Sequence, residues 1–116
     1  AGIMIRSSLN ADAANAYCMA SLRSGIYGQK RLTNGAGTSN MGVRWNSGFS
    51  GGWVRLTRIG QQITYGRSDD GVFFNSFASE TFPQLPDTVY VGMAVSTWQW
   101  NAGATGIFRN WALSTE

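Results

Sequence analysis

Trp53-Val54-Arg55-Leu56-Thr57-Arg58-Ile59 alternates between two kinds of side chain. Gly60-Gln61 then turns the chain, and Gln62-Ile63-Thr64-Tyr65-Gly66-Arg67-Ser68 returns. Successive side chains of a strand point to opposite faces, so this pattern predicts an antiparallel hairpin. Val54, Leu56 and the stem of Arg58 fall on one face, and Trp53, Arg55, Thr57 and Ile59 on the other. A lone hairpin is marginal in water, so the hairpin needs further strands to pack against.

The rest of the chain supplies them. Strand patterns recur at Ile3–Arg6, Tyr17–Leu22, Ile26–Leu32, more weakly at Met41–Trp45, and at Val72–Phe77, Thr88–Ser96 and Thr105–Leu113. Turn residues separate them: Ser24-Gly25, Thr33 to Asn40, Asn46 to Gly52, and Asp69-Asp70-Gly71. Thr81 to Asp87 holds both prolines and reads as a crossing loop. Thr97 to Ala104 reads as a further loop. Thr88–Ser96 reads as a central strand, with Val89, Val91, Met93 and Val95 on one face and the small Gly92 and Ala94 on the other, where a neighbour can approach closely. Helical periodicity is nearly absent; Leu9 to Ala16 is short and broken by Asn and Asp, as a loop or single turn would be. About eight or nine strands without crossover helices exclude a parallel sheet and predict two antiparallel sheets packed face to face.

At 116 residues the chain fits one domain and is long enough to bury a real core. Five Trp, six Phe and four Tyr supply it; fifteen Gly against two Pro fit many turns. Only 13% of residues are charged, about half the usual share. Ser, Thr, Asn, Gln and Gly must therefore cover much of the surface, as in extracellular and virion-type β-domains. The net charge is +3, from nine basic residues of which eight are Arg, spread along the chain. Nucleic-acid binding needs basic residues clustered on one face, so no nucleic-acid partner is expected. Arg6, Arg55, Arg58 and Arg67 fall on strands, where they are expected to keep a sheet surface soluble. No apolar run approaches the roughly 20 residues of a membrane-spanning helix, and no signal peptide is present. Ala1 opens directly in a strand pattern, which reads as a processed product or part of something longer.

Chemistry has few carriers here. The absence of His removes the usual general base and the commonest transition-metal ligand. Cys18 has no disulfide partner and sits in an apolar run, which reads as a small buried hydrophobe. The carboxylates are Asp12, Asp69, Asp70, Glu80, Asp87 and Glu116. Glycoside hydrolysis needs two carboxyl groups held across the scissile bond, and no strand carries such a pair. Asp69 and Asp70 fit a turn, where Asp bonds to local backbone. They also offer hard oxygen ligands to calcium, but no third acid stands nearby in sequence. No catalytic residue, metal or other cofactor is assigned.

Several segments in order carry a family likeness: Ala1-Gly2-Ile3-Met4-Ile5-Arg6-Ser7-Ser8-Leu9, Trp53 to Arg58, Ser68-Asp69-Asp70-Gly71, and Val89-Tyr90-Val91-Gly92-Met93-Ala94-Val95-Ser96. Together they resemble a family of bacterial concanavalin A-like jelly-roll domains, found as accessory modules of large secreted proteins that include glycoside hydrolases. Ile107-Phe108-Arg109-Asn110-Trp111 is similar to the family's final strand, where Asp often replaces Arg109. The resemblance implies a jelly-roll sandwich in an extracellular or surface setting. Family domains carry further strands before Ala1, so another chain or domain is expected to supply them, or an edge stays open for pairing. The loop with Trp98 and Trp100 also departs from the family's shorter polar loop.

That loop is the leading candidate site. Carbohydrate-binding modules lay aromatic faces on pyranose rings and point polar side chains at the hydroxyls. Trp98, Gln99, Trp100 and Asn101 supply both kinds of group, and with a two-residue period Trp98 and Trp100 share a side. Either Trp can instead cap the core. Arg44 and Trp45 are further candidate contacts; Trp45 and Trp53 flank a Gly/Ser loop and each alone suits core or rim packing better, while Trp111 reads as core. The sequence thus points to a non-catalytic module that binds a glycan or another cell-surface ligand. The alternative is a structural or assembly domain of a surface, fibre or virion protein that completes its sandwich or self-associates through open strand edges.

Overall fold

The structure, a computed structural model, describes residues 1–21, 25–45, 52–95 and 105–114, with only the backbone for 42–45. It is all-β. The strands are β1 (Gly2–Arg6), β2 (Asn15–Ser21), β3 (Gly25–Arg31), β4 (Ser39–Trp45), β5 (Trp53–Ile59), β6 (Gln62–Ser68), β7 (Asn75–Thr81) and β8 (Tyr90–Ala94). A five-stranded sheet runs in the order β4-β3-β2-β1-β8, and a three-stranded sheet in the order β5-β6-β7. Every pairing is antiparallel. The predicted hairpin is β5–β6, in continuous register from Trp53 opposite Ser68 to Ile59 opposite Gln62.

The sheets pack with β5 over β1 and β2 and β7 over β4. Between them lies one apolar cluster: Ile5, Ala16, Cys18, Ile63, Tyr65, Phe82 and Leu85, flanked by Val54, Leu56, Phe77 and Val89. Tyr65 ties the layers together. Its ring lies against Gly28 of β3, and its hydroxyl donates to the Gln29 carbonyl at 2.8 Å. Burial pushes this phenol well above its ordinary pKa, so it stays a donor. Lys30 of β3 pairs with Glu80 of β7 across the same side. Phe82 and Leu85 come from the crossing loop, which therefore supplies two core side chains as well as a connection. On the opposite face of the five-stranded sheet, Tyr17, Met19 and Tyr27 form a second buried cluster beside Met4 and Ala94.

Four expectations need correction. Val72–Phe77 is not a strand throughout: Val72 to Phe74 stay in the turn, and β7 starts at Asn75 and runs to Thr81. Thr88–Ser96 does not yield a central strand; among the described residues β8 lies at an edge. Residues 105–114 form no strand; Asn110 adopts φ 55°, a left-handed conformation outside the extended region, and Trp111 is 46% exposed instead of in the core. Arg67 is buried, because its register opposite Val54 turns it inward, where Asp69 meets it at 3.2 Å.

Candidate functional site

The sandwich has four sheet edges among the described residues: β4 and β8, β5 and β7. An edge strand exposes a row of unpaired backbone N–H and C=O groups that can pair with another chain, and proteins blunt it with bulges, charges or prolines. β4 carries such a bulge. Between the pairs Ile26–Trp45 and Gly28–Met41, β3 advances two residues and β4 four, and Arg44 lies in that stretch. β7 carries one too: between Tyr65–Ala78 and Gly66–Ser76 the edge strand has one extra residue, and Glu80 adds a charge. β5 is regular but holds Arg55 and Arg58. Arg55 sits 4.4 Å over the Phe74 ring, and Arg58 donates to the Gly60 carbonyl at 2.7 Å.

β8 has none of these devices. Its five residues pair with β1 in unbroken register, from Tyr90 opposite Arg6 to Ala94 opposite Gly2. From Val89 to Val95 no residue is charged and none is Pro. Its side chains are apolar on both faces. Val91 and Met93 lie opposite Ile5 and Ile3 and so point to the core side, yet they are 38% and 52% exposed. The reason is width: β5 reaches β1 and β2, so β8 projects beyond the smaller sheet. Tyr90, 51% exposed, lies on the outer face with Gly92 and Ala94. There, Met4, Arg6, Leu9, Tyr90 and Ala94 border a shallow, mostly apolar groove of about 220 Å³. Arg6 puts one positive charge at the end of this groove, opposite Tyr90. Its guanidinium donates to the Ser8 carbonyl, the Met4 sulfur and, at 2.6 Å, the Asn10 carbonyl, and so anchors the loop after β1.

The six predicted ligand-contact residues fare differently. Trp98, Gln99, Trp100 and Asn101 lie outside the described residues. Arg44 and Trp45 are on β4, with Trp45 opposite Ile26, and their side chains lie outside the description. β4 and β8 are opposite edges of the five-stranded sheet. At about 4.8 Å per strand, Arg44 and Trp45 stand roughly 19 Å from β8, whose chain leads on to Trp98. Trp53 is half-buried at the rim, its ring packed under Gly71.

The acids are explained locally. The Asp70 carboxylate accepts from the backbone N–H of Val72 at 2.8 Å and of Phe73 at 3.0 Å, and from the Ser68 hydroxyl at 2.9 Å. These bonds hold it below the usual carboxylate range, the Val72 bond contributing most. Gly71 completes the turn at φ 78°, a conformation glycine adopts without strain. Asp69 faces Arg67, and Glu80 faces Lys30. No three potential metal ligands stand together among the described residues. Cys18 is buried, its thiol pushed up to about 12 by desolvation and aimed at the Gly66 carbonyl. Sequence reasoning missed β8 as the exposed element; its signal was the run from Val89 to Val95, apolar on both faces and free of charge. No family model, no curated protein and no solved structure matches this chain.

Proposed function

We propose that the chain is a non-catalytic structural or assembly domain that takes up an additional strand at the open edge of β8. The observation that carries this reading is the contrast among the four edges: three carry a bulge or charged side chains, and β8 is regular, uncharged and apolar on both faces. A strand added there satisfies the outward backbone groups of β8 and covers apolar side chains that the smaller sheet leaves in water. The low charge fits an extracellular or virion-type surface setting. Kinship with concanavalin A-like jelly rolls belongs to the same reading, supported by the ordered sequence segments and the two antiparallel sheets.

Hydrogen exchange tests the proposal. An added seven-residue peptide of alternating Val and Thr should slow exchange at the outward amides of Tyr90–Ala94 and leave β7 unchanged. Equal protection of β7, or none at β8, removes the basis for the reading.

The glycan reading keeps one support: Trp98, Gln99, Trp100 and Asn101 follow β8 directly in the chain. Glycan-array binding that is lost in a Trp98→Ala/Trp100→Ala double variant would favour it. Binding that persists undiminished would rule these residues out.

A further inference from the structure

We infer that the strand received by β8 is the β8 of a second copy of this chain, paired antiparallel about a twofold axis through Gly92. This rests on the reading of β8 as an assembly edge and names its partner. An antiparallel pair of identical strands is self-complementary: the outward N–H and C=O groups of one copy meet the outward C=O and N–H groups of the other.

Gly92 is the middle of the five-residue strand, so a twofold there is the register that pairs all five residues. Gly92 meets itself, Val91 faces Met93 of the second copy, and Tyr90 faces Ala94. Each pair is apolar, and the large Tyr90 stands against a small side chain. No charge stands in the paired strands themselves: the chain carries a net +3, yet no charged residue lies between Val89 and Val95, and Arg6, opposite Tyr90, is one strand away on β1. At the axis no side chains meet, because Gly92 has none, and a Cβ built there has nothing within 4 Å on its face of the sheet. Both copies keep their smaller sheets on the same side, giving a continuous ten-stranded sheet. β5 and β7 offer no equivalent: Arg55 and Arg58 on one, and Glu80 with the bulge on the other, oppose pairing with a copy of themselves.

The interface is small. A five-residue strand pair falls short of the roughly 1,200 Å² of a stable complex, so the dimer should be concentration-dependent, with Kd on the order of micromolar or weaker.

Disulfide trapping reads the register. Under mild oxidation, Gly92→Cys should form at least tenfold more disulfide dimer than Tyr90→Cys alone, while a mixture of Tyr90→Cys and Ala94→Cys should form a mixed dimer. Cys18 is buried, so the unaltered chain is the blank. Sedimentation equilibrium should show the mass rising toward twice the protomer with concentration. Gly92→Lys, which sets two ammonium groups against each other on the axis, should weaken association at least tenfold. It should leave the circular dichroism unchanged, since its side chain enters open space, and retain β8 protection by the Val/Thr peptide. A chain that stays monomeric at millimolar concentration overturns the inference, and so does a dimer in which Gly92→Cys traps no better than Tyr90→Cys. If the peptide still protects β8 in those cases, the edge accepts a strand and only its identity as a second copy has failed. If the peptide also fails, both readings fall.

Discussion

The side of the sandwich where β3 and β4 lie under β6 and β7 differs from the side where β8 extends past β5. On the first, Tyr65 reaches across to the Gln29 carbonyl, Lys30 meets Glu80, and both edge strands carry extra residues. On the second, β8 is regular, uncharged and half in water. The closed side is tied across the layers by Tyr65 and by the Lys30–Glu80 pair, whereas β8 is held within its own sheet, by its pairing with β1 and by the Tyr17 hydroxyl, which donates to the Ala94 carbonyl at 3.1 Å. The same substitution should therefore have opposite readouts on the two sides.

The largest difference is expected between Tyr65→Ala and Met93→Ala. The Tyr65 side chain is fully buried and contacts both layers, so its loss should cost about 3–5 kcal/mol. Met93 is half exposed, and its truncation should cost less than about 1 kcal/mol. Urea midpoints at one low protein concentration measure both. Comparable losses would mean that β8 is structurally integral and that the contrast is false.

A finer test uses one change at two glycines. A Cβ on Gly28 would stand 2.7 Å from the Tyr65 ring, which its hydroxyl bond pins in place. Gly28→Ala should therefore destabilise by about 1–3 kcal/mol. Gly92→Ala meets open space in a strand and should be neutral or stabilising by up to about 1 kcal/mol, through lower unfolded-state entropy. Loss of stability at Gly92 in the monomer would show that something already covers the outer face of β8.

How much of this was legible follows from what a pattern can encode. The β5–β6 hairpin was readable residue by residue because one face is buried and one wet, and the Asp69-Asp70-Gly71 turn because its residues bond locally. Cys18 declared its burial through apolar neighbours. The position of β8 was not readable. A strand apolar on both faces reads as buried, and nothing local separates a buried strand from an unguarded edge; only the width of the facing sheet decides. Val72-Phe73-Phe74 reads as strand, yet the Asp70 carboxylate holds the Val72 and Phe73 amides in the turn. Arg67 was read as a solvent-facing charge, but its register opposite Val54 turns it inward. Of the candidate ligand contacts, the sequence named residue types suited to sugars without locating them, and Arg44 and Trp45 prove to lie at the edge opposite β8.

The smallest effect is expected at that turn, which belongs to the closed side. Asp70 in the folded chain accepts two backbone N–H bonds and one hydroxyl, bonds that favour the ionised form, so its folded pKa lies below its unfolded value. A depressed acid contributes stability that is present above the unfolded pKa, near 3.9, and is lost as pH falls through the folded pKa. Asp70→Asn keeps an acceptor oxygen but cannot titrate. Its urea midpoint at neutral pH should lie slightly below that of the parent, and the gap should close as pH falls below about 4. Asp69→Asn supplies the control, since its carboxylate is exposed and, among the described residues, pairs with Arg67. The carboxylate is open to solvent, so added salt should shrink the neutral-pH gap without abolishing it, because the backbone bonds survive screening. A gap that stays constant from pH 7 to pH 3 would mean that the turn is held by the acceptor geometry alone, with no contribution from the charge.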